Sequence, residues 1–219
     1  MSSGGVSVAG GERGKPLLIF PCNGSGIEAL DCLGDAWRCI GFVDDTPEKR
    51  GTEKYGIPVY DRSALKAHPE ASVLAVLGSP LSYRSRQAAI EGLGVSADRF
   101  ATVIHPSARV SPLARVGHNV LVMAGVVMTS NCVIGNHICI LPNTVVHHDV
   151  TVGDWSLIGS QVSLTGTVTV GVNCYIGSGS KIMNNVTIGD GALVGIGSNV
   201  IRNVAPGTKN VGNPARRID

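Results

Sequence analysis

From Ile104 onward, every sixth residue is aliphatic or methionine: Ile104, Val110, Val116, Val122, Met128, Ile134, Ile140, Val146, Val152, Ile158, Leu164, Val170, Ile176, Ile182, Ile188, Val194 and Val200. A second series runs two residues ahead of it, from Thr102, Ala108 and Ala114 to Ala192 and Ser198, and each member is small or β-branched. With 43% of the chain hydrophobic, an unbroken run of this length has a chance of under about one in a million. Neither the helical period of 3.6 nor the strand period of 2 sets a six-residue beat.

Glycine marks a longer period. Gly117, Gly135, Gly153, Gly171 and Gly189 are spaced 18 apart, as are Gly159, Gly177 and Gly195. Three hexads make one coil of three short strands and three corners, so residues 18 apart stack. The large aliphatic points inward, the small residue fits the corner, and glycine is expected to supply positive φ there. About five to six coils fit between residues 102 and 206, with no long insertion. The mixture of 29 glycines and 4% aromatics suits short strands and tight corners and disfavours a helical bundle.

The first hundred residues have another rhythm. Leu17–Phe20 reads as a buried strand, Asn23, Gly24, Ser25 and Gly26 as a turn, and Ile27–Leu33 as the start of a helix. A second strand over 39–45 ends in Asp44 and Asp45; a third over 72–80 ends in Gly78 and Ser79, with helix from Leu81 to about Leu93. This alternation predicts a small parallel α/β sheet. Ligands of such sheets bind beyond the carboxyl ends of the strands, where these clusters sit. A glycine turn opening a helix offers N–H groups to a phosphate, and an acidic pair can accept from ribose or base. Structural turns and a solvated loop or cap are the plain alternatives.

The expected division is a disordered tail over 1–15, a Rossmann-like domain over 16–101, a β-helix over 102–205 and a basic, turn-rich end over 206–219. Net charge is +2, too small to argue for nucleic acid or an anionic membrane. No apolar run reaches about 18 residues, and the Gly/Ser-rich start lacks the apolar core of a signal peptide. A cytoplasmic protein is expected, its six cysteines buried thiols.

Among the histidines, 147 and 148 are followed by Asp149 and lie just past the inward Val146, at a corner on the outside of the coil. A histidine with a carboxylate suits proton removal from an acyl acceptor near neutral pH. Gly166 stands 18 residues after His148, so its N–H lies one coil away, suited to polarising a carbonyl. Exposed polar corner residues are the alternative. His118 and His137 are expected to be corner residues or cleft walls, and His105 to help join the domains. Lys209, Gly212, Asn213, Pro214 and Arg216 make the end of the chain suited to nucleotide phosphates. A zinc lyase on the same scaffold would need histidines about two coils apart, and the position so related to His105 is Leu141.

Together, NGSG at 23–26, FVDD, LGSP, HPSA at 105–108, the hexads, HHDVTVGD at 147–154 and PGTKNVGNPAR resemble the sialic-acid O-acetyltransferase family. That family includes N-acetyltransferases of nucleotide-linked amino sugars, such as those of the bacillosamine and GDP-perosamine pathways. The resemblance implies a left-handed coil and a homotrimer that binds acetyl-CoA in the cleft between two adjacent β-helices, with no metal. It also implies transfer of acetyl to the amine of a nucleotide-linked amino sugar, a 4-amino-deoxy sugar in a bacterial surface glycan such as lipopolysaccharide. By the same resemblance His148 is the base, Asp149 its orienting acid and Gly166 the amide facing the acyl carbonyl. Asn23, Gly24, Ser25, Asp44, Asp45, Gly78 and Ser79 would hold the nucleotide sugar, and Lys209, Gly212, Asn213, Pro214 and Arg216 would lie by the CoA adenosine. O-acetylation of a sialic acid or another sugar hydroxyl is the alternative. Pro21 and Cys22, Ser25 in place of a frequent histidine, and Asp149 in place of a frequent glutamate depart from the family pattern.

Overall fold

The computed structural model describes residues 14–218, so nearly all of the tail expected over 1–15 lies outside the described residues. The chain first forms β1 (Lys15–Phe20), α1 (Gly24–Glu28), β2 (Trp37–Val43), β3 (Glu53–Lys54), β4 (Ile57–Tyr60), α2 (Ala64–Ala67), β5 (Ser72–Ala75) and α3 (Arg86–Glu91). The sheet order is β3-β4-β2-β1-β5, and every pair is parallel except the β3–β4 hairpin. The hairpin is absent from the expected elements. The strands also end earlier than expected: β2 stops at Val43 and β5 at Ala75, which leaves Asp44, Asp45, Gly78 and Ser79 in loops.

The apolar run of β1 is explained by burial on both sides. Leu17 and Ile19 pack with Ala29, Leu30 and the coil residues Val103, Leu121 and Leu157. Leu18 and Phe20 pack with Ala64, Leu65, Ile90 and Leu93. One face of the sheet is therefore covered by the coil.

From Val103 to Val200 the chain makes seventeen two-residue strands on three faces of parallel pairing. Face one runs from Val103–Ile104 to Leu193–Val194, face two from Arg109–Val110 to Asn199–Val200, and face three from Arg115–Val116 to Thr187–Ile188. Within each face, successive strands pair at a spacing of 18 residues, as in Ile140 opposite Ile158. The inward series from Val122 to Val200 is 0–2% exposed, and each such aliphatic contributes about 1.5–3 kcal/mol. The residue two earlier is buried as well, and where it is hydroxylic its donor is used: Thr144 Oγ1 donates to Gly159 O at 2.7 Å and Ser156 Oγ to Gly171 O at 2.9 Å.

The corners correct one expectation. The 18-spaced glycines at 117, 135 and 153 are not the positive-φ residues; those are Asn119, Asn131, His137, Asn143, Asp149, Trp155, Gln161, Thr167, Asn173 and Asn185, with Gly125, Gly179, Gly191, Gly197 and Gly207. Asparagine is common among them because it tolerates this region; Trp155 and Thr167 cost on the order of 1 kcal/mol more each. The 18-spaced glycines are small for lack of space. A Cβ at Gly135 would stand 2.1 Å from Asp154 Oδ1, which accepts from Asn136 N at 2.8 Å.

Candidate active site

The corner between faces two and three carries His148 and Asp149, directly after the strand Val145–Val146. The His148 Nδ1 to Asp149 Oδ2 distance is 2.8 Å, and Asp149 Oδ1 accepts from Asn131 Nδ2, one coil below, at 3.0 Å. Both side chains of the pair are about half exposed. The hydrogen bond from His148, then that from Asn131, holds the Asp149 carboxyl below its ordinary pKa. With Nδ1–H donated to the carboxylate, Nε2 keeps a free lone pair.

Gly166 lies against this imidazole. A Cβ there would stand 2.6 Å from His148 Cε1 and 2.7 Å from Nε2. Among the described residues the Gly166 N–H has no acceptor, while its carbonyl accepts from Asn185 N at 3.2 Å. A lone pair and an unused amide donor thus share one small patch of surface. His147 is placed differently, its amide donating to Leu164 O at 2.9 Å and its carbonyl accepting from Cys132 Sγ at 3.1 Å.

A second feature lies on face one. Ser25, Val76, Gly78, Ser79 and Pro80 from the N-terminal domain face Leu121, Met123, Cys139, Leu141, Leu157 and Tyr175 across a cleft of about 190 Å³. Its coil wall was legible in part. The outward strand positions on face one are Val103, Leu121, Cys139, Leu157, Tyr175 and Leu193, whereas face three offers Arg115, Val133, Thr151, Thr169 and Thr187. Apolar residues pointing outward at a period of 18 mark a covered face, a signal the hexad reading passed over.

The expected nucleotide-sugar residues divide. Ser25, Gly78 and Ser79 line the cleft. Asn23 caps α1, its Oδ1 accepting from Gly26 N at 3.0 Å, and Gly24 is open, with nothing near its Cβ position. Asp44 is 2% exposed. Its carboxylate accepts from Cys22 N at 2.9 Å, Thr46 N at 2.9 Å and Lys49 Nζ at 3.0 Å. Burial alone would raise its pKa, but the Thr46 and Lys49 hydrogen bonds outweigh it and hold the carboxyl low. Asp45 forms a bidentate pair with Arg62, both bonds 2.7 Å. The acidic pair thus ties loops together in this structure.

The end of the chain forms a hairpin. Lys209–Val211 extends face one beside Leu193–Val194 and pairs antiparallel with Arg216–Ile218. Lys209, Gly212, Asn213, Pro214 and Arg216 are exposed. Its turn crosses to face two: Asn199 N donates to Gly212 O at 3.0 Å and Ala215 N to Asn199 O at 2.8 Å. Asn199 begins the last strand of the face that leads to His148's corner column, which continues through Gly166 and Asn184 to Arg202. At about 4.8 Å per coil, three coils place that end about 14 Å from His148.

His118 and His137 sit at the seam between sheet and coil. His137 stacks on Trp155 with ring centroids 3.9 Å apart and meets His118 and Phe100 edge-on. Burial, then the His118 and Arg86 charges, pushes its pKa down to about 4. His105 turns its Nδ1 to Ser107. All six cysteines are buried and free. Among the described residues no cluster of three or more His, Cys, Asp or Glu is placed to hold a metal, and no helix is long and apolar enough to cross a membrane.

Residues 131–166 match the bacterial transferase hexapeptide family, described by six repeats. Among solved structures, PerB from Caulobacter crescentus, in complex with CoA and GDP-perosamine, is 31% identical over 94% of this chain and 98% of its own, with a TM-score of 0.80. A variant of perosamine N-acetyltransferase from the same organism, with the same two molecules, is 30% identical over 94% and 97%, again with a TM-score of 0.80. The acetyltransferase domain of PglB from Neisseria gonorrhoeae, in complex with acetyl coenzyme A, shares the fold at a TM-score of 0.82 and 24% identity, over 94% and 100%. No curated protein sequence matches the chain.

Proposed function

The chain belongs to the hexapeptide-repeat family of nucleotide-amino-sugar N-acetyltransferases, and from that premise we propose that it moves acetyl from acetyl-CoA onto the amine of a nucleotide-linked 4-amino sugar. The observation that carries this reading is the His148–Asp149 pair set against the unused amide of Gly166. His148 Nε2 takes a proton from the sugar amine as its nitrogen attacks the thioester carbon. Asp149 holds the ring by Nδ1 and stabilises the imidazolium that results. The Gly166 N–H donates to the acyl oxygen as negative charge develops, and the carbon–sulfur bond breaks to release CoA thiolate.

Placement also bears on assembly. The cleft on face one and the corner between faces two and three lie on opposite sides of the three-sided coil. A sugar whose nucleotide occupies the cleft of one chain therefore reaches the His148 of another copy. A homotrimer of left-handed coils satisfies that requirement, with acetyl-CoA along the His148 column and its adenosine end at the basic hairpin. The N-terminal sheet then acts as a Rossmann-like nucleotide-sugar domain over 16–101, joined to a catalytic coil over 102–205. Both substrates are cytoplasmic metabolites, the expected setting for a step in bacterial surface-glycan synthesis.

The test is CoA release with acetyl-CoA and UDP-, dTDP- and GDP-linked 4-amino sugars, each beside its 4-hydroxy counterpart. Turnover with one amino sugar and none with its hydroxy twin is expected. Silence on the whole panel with turnover of a free sialic acid would sink the amine assignment and leave an O-acetyltransferase.

A further inference from the structure

The loop that walls the cleft runs directly into a segment that grips the coil rung by rung. At the corner between faces three and one, His137, Trp155, Asn173, Gly191 and Gly207 stack in the left-handed region. Their amides are used within the coil, as in Trp155 N to Asn136 O and Gly191 N to Val172 O, but their carbonyls accept no backbone hydrogen bond among the described residues. The segment 83–86 donates to four of these five carbonyls, and at the remaining rung Asn173 Nδ2 donates to Arg84 O at 3.5 Å. Arg86 Nη1 donates to His137 O and, at 3.2 Å, to Trp155 O. Tyr83 Oη donates to Gly191 O at 3.0 Å, and Arg84 Nη2 donates to Gly191 O at 3.1 Å and Gly207 O at 2.9 Å. Three side chains span five corners of one column and bond the carbonyls of four.

Arg86 is the centre of this grip. It is 0% exposed, and none of the ion pairs among the described residues includes it. Its Nε donates to Leu77 O and its Nη2 to Cys139 Sγ at 3.5 Å, so one guanidinium bonds both walls of the cleft. Gly78 rests on its stem, since a Cβ there would stand 3.1 Å from Arg86 Cδ. A buried cation without a counter-charge is a poor means of stabilising a fold, and an apolar side chain of equal volume commonly does as well. A guanidinium supplies something else, a rigid fork of several N–H donors at fixed angles.

We propose that Arg86, with Arg84 as its outer partner, is a positioning residue for the nucleotide sugar: it fixes the Gly78–Pro80 loop to the coil and so sets the width of the cleft. The inference rests on the nucleotide-sugar reading of that cleft. Arg86→Lys keeps the charge and loses the fork, and Arg84→Ala removes the exposed part of the grip. Two readouts separate the strap from the site. Amide hydrogen exchange over residues 77–82 in the ligand-free protein reads the strap alone. Calorimetric Kd values for UDP, dTDP and GDP, with KM for each substrate, read its consequence.

In Arg86→Lys, exchange over 77–82 rises at least tenfold while coil amides keep their protection; in Arg84→Ala it rises about threefold. The Kd of the nucleotide that the wild type binds, and the KM of its sugar, rise in the same proportions, with kcat and the acetyl-CoA KM within twofold. If Arg86→Lys gives no folded protein, Arg84→Ala decides on the same readouts. Unchanged exchange overturns the strap. Faster exchange with unchanged nucleotide affinity, or an equal loss in kcat and both KM values, overturns the positioning role. A wild type that binds none of the three nucleotides, with exchange responding as stated, overturns the reading of the cleft and the positioning role with it, while the strap stands.

Discussion

The imidazole of His148 lies so close to the backbone of Gly166 that a Cβ on the glycine would stand 2.7 Å from Nε2, the atom left free when Nδ1 bonds Asp149. Gly166 has an ordinary negative φ, since it is absent from the positive-φ residues. Its smallness is therefore a matter of room. Gly166→Ala pushes the ring aside and crowds the amide donor at once. The expected loss in kcat is about 10²–10³-fold, the size of an oxyanion-donor deletion, with the coil's circular dichroism and melting temperature nearly unchanged. Near-normal turnover in this variant would remove Gly166 from the mechanism.

The acid–base pair separates into two roles. His148→Asn removes the base, and a kcat lower by about 10²–10⁴-fold is expected. Asp149→Asn keeps a residue suited to the left-handed corner, where asparagine already stands at 131, 143 and 173, so the backbone is undisturbed. Its amide no longer fixes the Nδ1–H tautomer or stabilises the imidazolium, and kcat drops about 10–100-fold. Steady-state rates with intact chains decide the matter; equal rates in wild type and His148→Asn would refute the base assignment.

These two residues were legible because the coil repeats. Eighteen residues place Gly166 over His148 in any three-sided coil, and the unbroken hexads fix the count. The same regularity misled at the corners: glycines 18 apart suggested positive φ, whereas they make room for side chains such as Asp154 from the neighbouring coil. The acidic pair was readable as a cluster, but not as one buried carboxylate holding the Cys22 and Thr46 amides and one partner of Arg62. The Arg86 grip left no motif, since its partners are main-chain carbonyls, which every sequence has. The cleft wall left a faint one in the apolar outward positions of face one.

The hairpin at the end of the chain makes a prediction about the far end of acetyl-CoA. Lys209 and Arg216 are exposed cations on neighbouring strands, suited to a phosphate in water, where each contact is worth up to about 1 kcal/mol. Lys209→Ala and Arg216→Ala should each raise the acetyl-CoA KM about threefold and leave the nucleotide-sugar KM unmoved. The control is acetyl-dephospho-CoA, for which wild type and variants should differ less. If the variants lose affinity for both forms equally, the hairpin does not meet the 3′-phosphate.

The seam between sheet and coil should respond to acid through His137. Its ring is 7% exposed, stacked on Trp155 and bonded to Asn119 Nδ2 through Nδ1 at 3.0 Å, and its pKa is about 4 against an ordinary 6.5. The folded state therefore favours neutral His137. Above pH 6.5 both states are neutral and nothing is lost. As pH falls from 6.5 to 4 the unfolded chain takes a proton that the folded one refuses, and stability declines by about 3 kcal/mol across that window. The carboxylates held low, Asp44, Asp61, Asp98 and Asp149, give up their contribution as pH falls through the ordinary carboxylate range, so it overlaps only the acid end of this window and is common to wild type and variant. His137→Asn keeps a residue at home in the left-handed corner and removes the titrating group. It should start about 1–2 kcal/mol less stable at pH 7, having lost the Trp155 stack, and show a flatter slope between pH 6.5 and 4. Urea unfolding at half-unit pH steps measures both slopes, and parallel curves for wild type and variant would show that His137 does not govern the acid limb.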